Sequence, residues 1–337
     1  MKARTIIDIK NLETTFFTDR GSIPAVNDVS FHIKEGEVLG IVGESGSGKS
    51  VTSLSMMRLI PQPPGKITNG TIHLYDKDLL AMSEGQMRKI RGNDMAMIFQ
   101  EPMTSLNPLF TIGDQLQEAI LIHNKISKKK ARQQIISMLH LVGLARAEQL
   151  IDEYPHQLSG GMRQRVMIAM ALICKPKLLI ADEPTTALDV TTQAQILKLM
   201  KRLNKELNTA IMFITHDLGV VAEICQRVIV MYAGQIVEEA PVKDLFHHPK
   251  HPYTIGLIQS VPDIRNKKAR LHSIRGNVPM PGTIKAGCQF ADRCDYAFDP
   301  CTKEAPPIYQ INNKQGVRCF LYDKERVKED DSTIVKG

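Results

Sequence analysis

The chain has 337 residues, enough for about two domains, and 43% of them are hydrophobic, which suffices for a sizeable core. The formal net charge of +7 is too modest to indicate nucleic-acid binding by itself. No apolar run approaches the ~18 to 20 residues of a membrane span, and Asp8 and Lys10 interrupt the basic N-terminal stretch, so we expect a cytoplasmic protein without a secretory signal.

The order of the predicted elements indicates an α/β fold. β-branched runs at 6–9 and 25–33 indicate strands, and a further strand at 37–42 leads into a glycine-rich segment. Apolar residues recur every three to four positions between about 112 and 150, which is typical of helices. Strand-like runs then return among helical stretches, at 178–181, 210–214 and 228–232. This alternation predicts a parallel sheet with helices on both faces.

The glycine-rich segment predicts a nucleoside triphosphate site. Its members are Gly43, Glu44, Ser45, Gly46, Ser47, Gly48, Lys49 and Ser50, followed by Val51. The glycines let backbone N–H groups close around the β- and γ-phosphates with no Cβ in the way. Lys49 would supply a positive charge to the phosphates and Ser50 a hydroxyl ligand to Mg²⁺, and the helix beginning there would direct its positive end at the anion. The alternative, a plain glycine-rich turn, is disfavoured by the strand before it.

An acidic pair at the end of a later apolar run completes this chemistry. Asp182 and Glu183 directly follow the run 178–181. Asp182 would reach Mg²⁺, and Glu183 would orient the water that attacks the γ-phosphate. Two acids at a strand end could also form a plain solvated turn, but the phosphate loop favours the catalytic interpretation.

Further motifs accompany the phosphate loop. Residues 158–165, Leu-Ser-Gly-Gly-Met-Arg-Gln-Arg, resemble the signature peptide of ATP-binding cassette (ABC) ATPases. Gln100 resembles the Q-loop residue, the segment 186–189 resembles the D-loop, and His216 resembles the switch histidine. The resemblance implies that Gln100 contacts Mg²⁺ or the attacking water and that His216 reaches the γ-phosphate. It also implies that ATP is contacted by Ser159, Gly160, Gly161 and Asp189. The signature residues among them would contact, in trans, the ATP that a partner subunit holds.

An aromatic residue before the phosphate loop completes the resemblance. Phe16 matches the aromatic that stacks on adenine in ABC ATPases, although Phe17 is adjacent and either ring could belong to the core. The family fold implied is a RecA-like parallel-sheet core with an antiparallel β subdomain and a helical subdomain at about 101–165. We therefore expect the ATP-binding domain to span 1–255.

The C-terminal part narrows the resemblance. Residues 247–254, His-His-Pro-Lys-His-Pro-Tyr-Thr, resemble the His-Pro-Tyr element that opens the C-terminal extension of the oligopeptide and dipeptide importer ATPase subfamily. Similarity runs from about residue 5 to residue 322 and includes 101–108 and 181–191. We expect a small Cys/Pro/Gly-rich domain at 256–337. Without the resemblance, these histidines would indicate a polar loop or a weak metal site.

Four of the six cysteines fall in this extension, at Cys288, Cys294, Cys301 and Cys319. Four thiolates in one small module suit tetrahedral zinc or a [4Fe–4S] cluster, while plain reduced cysteines are the third alternative. The subfamily resemblance favours iron–sulfur over zinc. The chain departs from the subfamily pattern at 284–287 and 314–318, which leaves the packing of the module open.

The resemblance implies an ATPase subunit at the cytoplasmic face of the cell membrane. A second ABC ATPase subunit is implied, in a heterodimer, though a homodimer is compatible with the sequence. The other implied partners are two membrane permease subunits and, through them, an extracytoplasmic binding protein, with no nucleic acid. Three alternatives remain open: an importer of nickel or sugar oligomers, a cytosolic ABC ATPase of DNA repair or translation, and a metal-sensing regulatory subunit.

Overall fold

The computed structural model describes residues 4–19, 21–100, 105–186, 188–261, 273–279, 282–283 and 286–323. In the first hundred residues the strands are β1 (Thr5–Thr18), β2 (Gly21–Lys34), β3 (Val38–Val42), β4 (Gly65–Leu74), β5 (Lys77–Asp78) and β6 (Met95–Ile98). The helices in this region are Lys49–Met56 and Glu84–Ile90.

The remaining strands are β7 (Leu178–Asp182), β8 (Ala210–Ile214), β9 (Arg227–Tyr232), β10 (Gln235–Pro241), β11 (Tyr309–Asn312) and β12 (Gln315–Val317). The remaining α-helices are Ile112–His123, Lys128–Leu141, Ala147–Leu150, Gly160–Leu172, Val190–Leu207, Leu218–Ile224, Val242–His247, Pro252–Gln259 and Asp299–Lys303. Short 3-10 turns are Pro155–Gln157, Ala291–Arg293 and Phe320–Tyr322.

Two compact units make up the described chain. The first contains the described residues of 1–7, 32–38 and 73–214. The second contains the described residues of 8–31, 39–72 and 215–337.

The first unit contains a parallel sheet of β6, β7 and β8. Met95 lies opposite Leu178, and Leu178 lies opposite Ala210. Every residue of β7 and β8 is buried, as the unbroken apolar runs of a parallel strand predict. Helices Ile112–His123 and Lys128–Leu141 pack on each other and on helix Gly160–Leu172.

The second unit joins the C-terminal strands to those around the phosphate loop. Strand β3 pairs in parallel with β9, β9 pairs antiparallel with β10, and β12 pairs antiparallel with both β10 and β11. Its core includes the buried side chains of Val42, Val230, Tyr232, Tyr253 and Phe290. Strand β12, which pairs with β10, lies within the segment 314–318 that departs from the subfamily pattern.

The predicted α/β class is confirmed by this architecture. The boundaries at 101–165 and 255/256 stay predictions. The motif residues 101–104 and 284–285, and Ala187 of the D-loop-like segment, lie outside the described residues. Among the helices that the structure describes, none is both long and apolar enough to cross a membrane.

Candidate functional site

The phosphate loop connects β3 to helix Lys49–Met56 in the second unit, and two of its glycines are sterically required. Gly48 caps the helix with φ 97°. A Cβ there would lie 2.6 Å from the carbonyl oxygen of Ala25, and a Cβ on Gly43 would overlap the carbonyl oxygen of Met231. The loop can therefore hold this path only with glycine at both positions.

The ammonium of Lys49 lies against the carbonyl side of the loop. Its Nζ donates to the carbonyl oxygens of Gly43 and Glu44 at 2.8 and 2.9 Å, and to Oγ of Ser47 at 3.3 Å. Lys49 is buried, while Ser50 at the helix start is half-buried. These bonds hold a positive charge beside a helix N-terminus, which is the electrostatic arrangement that a triphosphate requires.

Two residues of the C-terminal part hold Glu44 of this loop. The Glu44 N–H donates to the hydroxyl of Tyr253 at 2.9 Å. The guanidinium of Arg293 donates to both carboxylate oxygens of Glu44, with Nη1–Oε2 at 2.8 Å and Nη2–Oε1 at 3.1 Å. Sequence reasoning missed Arg293, because 249 positions separate it from Glu44 and nothing in the local pattern marks it.

The two candidate adenine-stacking rings differ in exposure. Phe16 is half-buried, and a Cβ on Gly65 would lie 3.0 Å from its ring. Phe17 is 53% exposed, and its N–H donates to the carbonyl oxygen of Pro64 at 2.8 Å. Both alternatives from the sequence therefore stay open.

In the first unit the structure brings together two of the predicted catalytic residues. Asp182 ends β7 and is buried, and Glu183 follows it with a positive φ of 47°. The side-chain amide of Gln100 donates to Oε2 of Glu183 at 3.4 Å. The hydroxyl of Thr186 donates to the same oxygen at 2.9 Å. The Glu183 carboxylate is therefore held by donors from two segments.

The signature residues form a helix N-terminus. Ser159 is the N-cap of helix Gly160–Leu172, and its Oγ accepts the N–H of Met162 at 3.3 Å. A Cβ on Gly160 would meet open space, which leaves this end of the helix accessible. Farther along, the amide of Gln164 donates to the carbonyl oxygen of Pro184 at 2.6 Å, which ties the signature helix to the segment after Glu183.

Asp189 belongs to the first unit and His216 to the second. Asp189 is the N-cap of helix Val190–Leu207, where its carboxylate accepts from the N–H and the hydroxyl of Thr192 at 2.9 and 2.7 Å. Hydrogen bonds from the backbone and then the side chain of Thr192 lower the pKa of Asp189. His216 is exposed in the second unit, just before Asp217, the N-cap of helix Leu218–Ile224.

The four predicted ligand cysteines line one small cavity in the second unit. Phe290, Pro306 and Leu321 line the same cavity. The backbone connects two of the cysteines, because the Cys288 N–H donates to the Cys301 carbonyl oxygen at 2.7 Å. The cysteines on this cavity are Cys288, Cys294, Cys301 and Cys319.

His251 lines the same cavity and is 1% exposed. Its Nδ1 accepts the N–H of Tyr253 at 3.0 Å, and its Nε2 is buried with no hydrogen-bond partner in the described part of the chain. Burial lowers the pKa of His251 to about 3.

Burial also favours the neutral thiols in this cavity. It raises the pKa of Cys288 and of Cys294 to about 11, and that of Cys319 to about 12. Among the residues that the structure describes, no three or more His, Cys, Asp or Glu side chains are close enough together to form a ready metal site. The cysteines therefore share a cavity but do not stand in ligand geometry.

Two family models match the chain. The model described as "ABC transporter" matches residues 26–186, which include the phosphate loop, the signature and the acidic strand end. The model described as "Oligopeptide/dipeptide transporter, C-terminal region" matches residues 237–301, which include Tyr253, Arg293 and three of the four cavity cysteines.

Curated relatives and solved structures agree with these matches. The chain is 55% identical to the oligopeptide transport ATP-binding protein AppD of Bacillus subtilis (strain 168), over 96% of this chain and 99% of AppD. It is 50% identical to the dipeptide transport ATP-binding protein DppD of the same organism, over 95% of each chain. The dimeric ATP-binding cassette MJ0796, solved in a post-hydrolysis state with ADP and Pi, matches with a TM-score of 0.62 and 30% identity, over 70% of this chain and 98% of that one.

Proposed function

Because the chain belongs to the ABC transporter family, among the oligopeptide and dipeptide transport ATP-binding proteins, we propose that it hydrolyses ATP to drive peptide import. The observation that carries the proposal is a glycine-dependent loop with a buried lysine at a helix N-terminus, in a chain whose 237–301 segment matches the peptide-transporter C-terminal region. Energy from ATP binding and hydrolysis would pass to membrane permease subunits.

Each predicted site residue has a definite chemical role in this proposal. Lys49 and the N–H groups of residues 43–51 bind the phosphates. Ser50, Gln100 and Asp182 are the proposed ligands of Mg²⁺, which neutralises the charge on the phosphates when bound. Glu183 orients the attacking water, and His216 reaches the γ-phosphate. The Gln100–Glu183 hydrogen bond supports the assignment of the water-orienting role to this carboxylate.

The active unit in this proposal is a dimer of cassettes. The accessible N-terminus of helix Gly160–Leu172 would bind the ATP held by the partner subunit, with Ser159, Gly160 and Gly161 presenting N–H groups. Asp189 would contact nucleotide from the start of the next helix. The partner is a related ATPase or a second copy of this chain. A strictly monomeric preparation that hydrolyses ATP at the full rate, with its mass checked by light scattering during the assay, would contradict this arrangement.

The proposed location is the cytoplasmic face of the membrane, bound peripherally to two permease subunits. An extracytoplasmic binding protein would deliver the peptide to those permeases. Co-purification of the permeases with the tagged chain from solubilised membranes is the expected result.

The residues on the cysteine cavity include the type of donor that an iron–sulfur cluster takes. Four cysteines and His251 line this cavity, which is otherwise largely apolar. We propose that Cys288, Cys294, Cys301 and Cys319 hold one [4Fe–4S] cluster, with zinc as the alternative. Metal ligation would deprotonate the thiols and cross-link the segments that carry them.

A growth experiment tests the proposed function in the source strain. The gene is deleted in a strain auxotrophic for one amino acid, which is then supplied free or within a short peptide. We expect the deletion to abolish growth on the peptide only, and expect the wild-type gene, but not Lys49→Ala, to restore it. Radiolabelled peptide uptake should follow the same pattern.

The same strains distinguish the alternative substrates. Loss of nickel-dependent or sugar-oligomer-dependent growth, with peptide growth intact, would overturn peptide import in favour of that substrate. Unchanged growth on all three, combined with sensitivity to DNA damage or a translation defect, would overturn the transport assignment itself.

A further inference from the structure

An ion pair between Arg293 and Glu44 joins the C-terminal part of the chain to the phosphate loop. We propose that Arg293 is a positioning residue for ATP. It fixes the phosphate loop and neutralises the carboxylate of Glu44, which belongs to that loop. This inference rests on the proposed function only in taking ATP as the ligand of the loop.

The geometry of the pair is bidentate and largely shielded from water. Both terminal nitrogens of Arg293 donate to Glu44, at 2.8 and 3.1 Å, and the Arg293 side chain is only 6% exposed. Two further donors are also used, since Nε donates to the Arg275 carbonyl oxygen at 2.7 Å and Nη1 to the Tyr232 hydroxyl at 3.2 Å. A planar fork matched to a carboxylate in this way cannot be reproduced by a lysine ammonium.

An aromatic cluster fixes Arg293 relative to the loop. The rings of Tyr232 and Tyr253 lie 4.7 Å apart, and Phe290 lies 5.2 Å from Tyr232 and 5.4 Å from Tyr253. Tyr232 ends β9, whose neighbour β3 leads directly into the loop. The guanidinium carbon of Arg293 lies 5.7 Å from the centre of the Tyr232 ring. The cluster therefore gives Arg293 a fixed reference point at the base of the phosphate loop.

The backbone of the loop is held at the same residue. Tyr253, which is fully buried, accepts the Glu44 N–H at 2.9 Å. Glu44 is thus restrained by both its N–H and its carboxylate, whereas its neighbours Ser45 and Gly46 are exposed. A loop restrained before the ligand arrives loses less conformational freedom on binding, and this raises affinity.

Electrostatics give a second reason to expect that Arg293 raises the affinity for ATP. Glu44 is one residue from Gly43 and five from Lys49, so its carboxylate belongs to the loop that would bind a polyanion. Paired with Arg293, the two side chains carry no net charge. Without Arg293, the unpaired negative charge of Glu44 would repel a triphosphate bound at the same loop.

The test is a double-mutant cycle on Arg293 and Glu44 in the purified full-length chain. The variants are Arg293→Ala, Arg293→Lys, Glu44→Gln and the double variant Arg293→Ala with Glu44→Gln. The dissociation constant of a fluorescent ATP analogue is measured by titration, and kcat and KM for ATP are measured alongside. Arg275→Ala is the matched control, because its side chain is 85% exposed, pairs with Asp295 at 3.6 Å, and leaves its carbonyl bond to Arg293 intact.

We expect Arg293→Ala to raise the dissociation constant about tenfold, a change of ~1.4 kcal/mol, with a much smaller effect on kcat. Arg293→Lys should lie between the wild type and Arg293→Ala. Adding Glu44→Gln to Arg293→Ala should restore most of the lost affinity, because the unpaired charge is removed. A role confined to folding predicts no such rescue.

The outcomes separate this inference from the proposed function. A wild-type chain that does not bind the ATP analogue overturns the proposed function. A wild type that binds, with Arg293→Ala binding within twofold of it or with no rescue in the double variant, overturns the role of Arg293.

A measurement on the wild type covers the case in which Arg293→Ala does not fold. Hydrogen exchange of the unmodified chain, with and without nucleotide, should show increased protection in the loop 43–50 and in 288–294 together, since coupling between sites is reciprocal. Protection confined to the loop would contradict the proposal.

Discussion

The carboxylate of Glu183 receives two side-chain donors on one oxygen, from Gln100 at 3.4 Å and from Thr186 at 2.9 Å. Gln100 and Glu183 are 83 positions apart in the sequence. The backbone N–H of Glu183 also donates to the Ile214 carbonyl oxygen of β8, at 2.9 Å. The direction of this carboxylate is therefore fixed by its surroundings, as a group that orients water requires.

Replacing Glu183 by Gln should abolish steady-state hydrolysis and leave ATP binding intact. The change removes the water-orienting carboxylate but leaves Lys49 and Ser50 in place. We expect turnover at saturating ATP to fall more than ~100-fold, about 2.7 kcal/mol, in a phosphate-release assay, while the dissociation constant of ATP stays near that of the wild type. Glu206→Gln, on an exposed helix surface beside Arg202, is the control. Turnover within about tenfold of wild type would contradict the assignment.

The strands that carry the site were predictable because their signals are local. The apolar run at 210–214 coincides with β8, and the run at 178–181 lies within β7. The hairpin of β9 and β10 was missed because its two-residue turn is Ala233-Gly234, with φ values of 45° and 82°. A turn of this type favours Asn or Gly at its first position, so alanine gives no sequence signal.

The long-range contacts could not be read from the sequence for a different reason. The pairing of Val317 with Glu238 and the ion pair of Arg293 with Glu44 join segments far apart in the chain. Hydrophobic periodicity and motif spacing carry no information on such partners, because they describe only neighbours along the chain. The sequence predicted that the four cysteines gather, but not that His251 would lie beside them.

The adenine-stacking residue can be identified by comparing two alanine variants. If Phe16 stacks on the base, Phe16→Ala should weaken ATP binding about tenfold, ~1.4 kcal/mol, while Phe17→Ala changes it little. Inorganic triphosphate, which has no base, should bind both variants as it binds the wild type. The reverse ranking of the two variants would assign the role to Phe17, whose ring is 53% exposed.

The cysteine cavity should yield about four irons and four sulfides per chain after anaerobic purification, with a visible absorption band that reduction bleaches. Replacing any one cavity cysteine, such as Cys294→Ser, should lower the iron content. Cys174→Ser is the control, because that thiol contacts the Ala119 carbonyl oxygen at 3.5 Å in a helical region outside the second unit. Stoichiometric zinc without iron would contradict the iron–sulfur cluster and support a zinc site. A protein without any bound metal would contradict both the cluster and the zinc site.

The stability of the chain should depend on pH through His251. Its pKa of about 3 in the folded chain lies below the ordinary value of 6.5, so the unfolded chain binds one more proton between these two values. The contribution of His251 to the free energy of unfolding is therefore full above pH 6.5 and falls as pH decreases toward 3. Its slope approaches ~1.4 kcal/mol per pH unit in the lower part of that window.

His251→Asn should remove this dependence. Asparagine cannot titrate, and its side-chain oxygen can still accept the Tyr253 N–H that His251 now accepts at 3.0 Å. Glu238 accepts the backbone N–H of His251 at 2.8 Å, and burial raises the pKa of Glu238. Protonation of Glu238 therefore stabilises the folded chain as pH falls, which opposes the effect of His251. This contribution is present in both proteins and cancels in the difference between them. Urea unfolding at pH 7.5, 6.5 and 5.5 should show a steeper loss for the wild type than for the variant. Parallel curves would mean that His251 does not remain neutral in the folded chain.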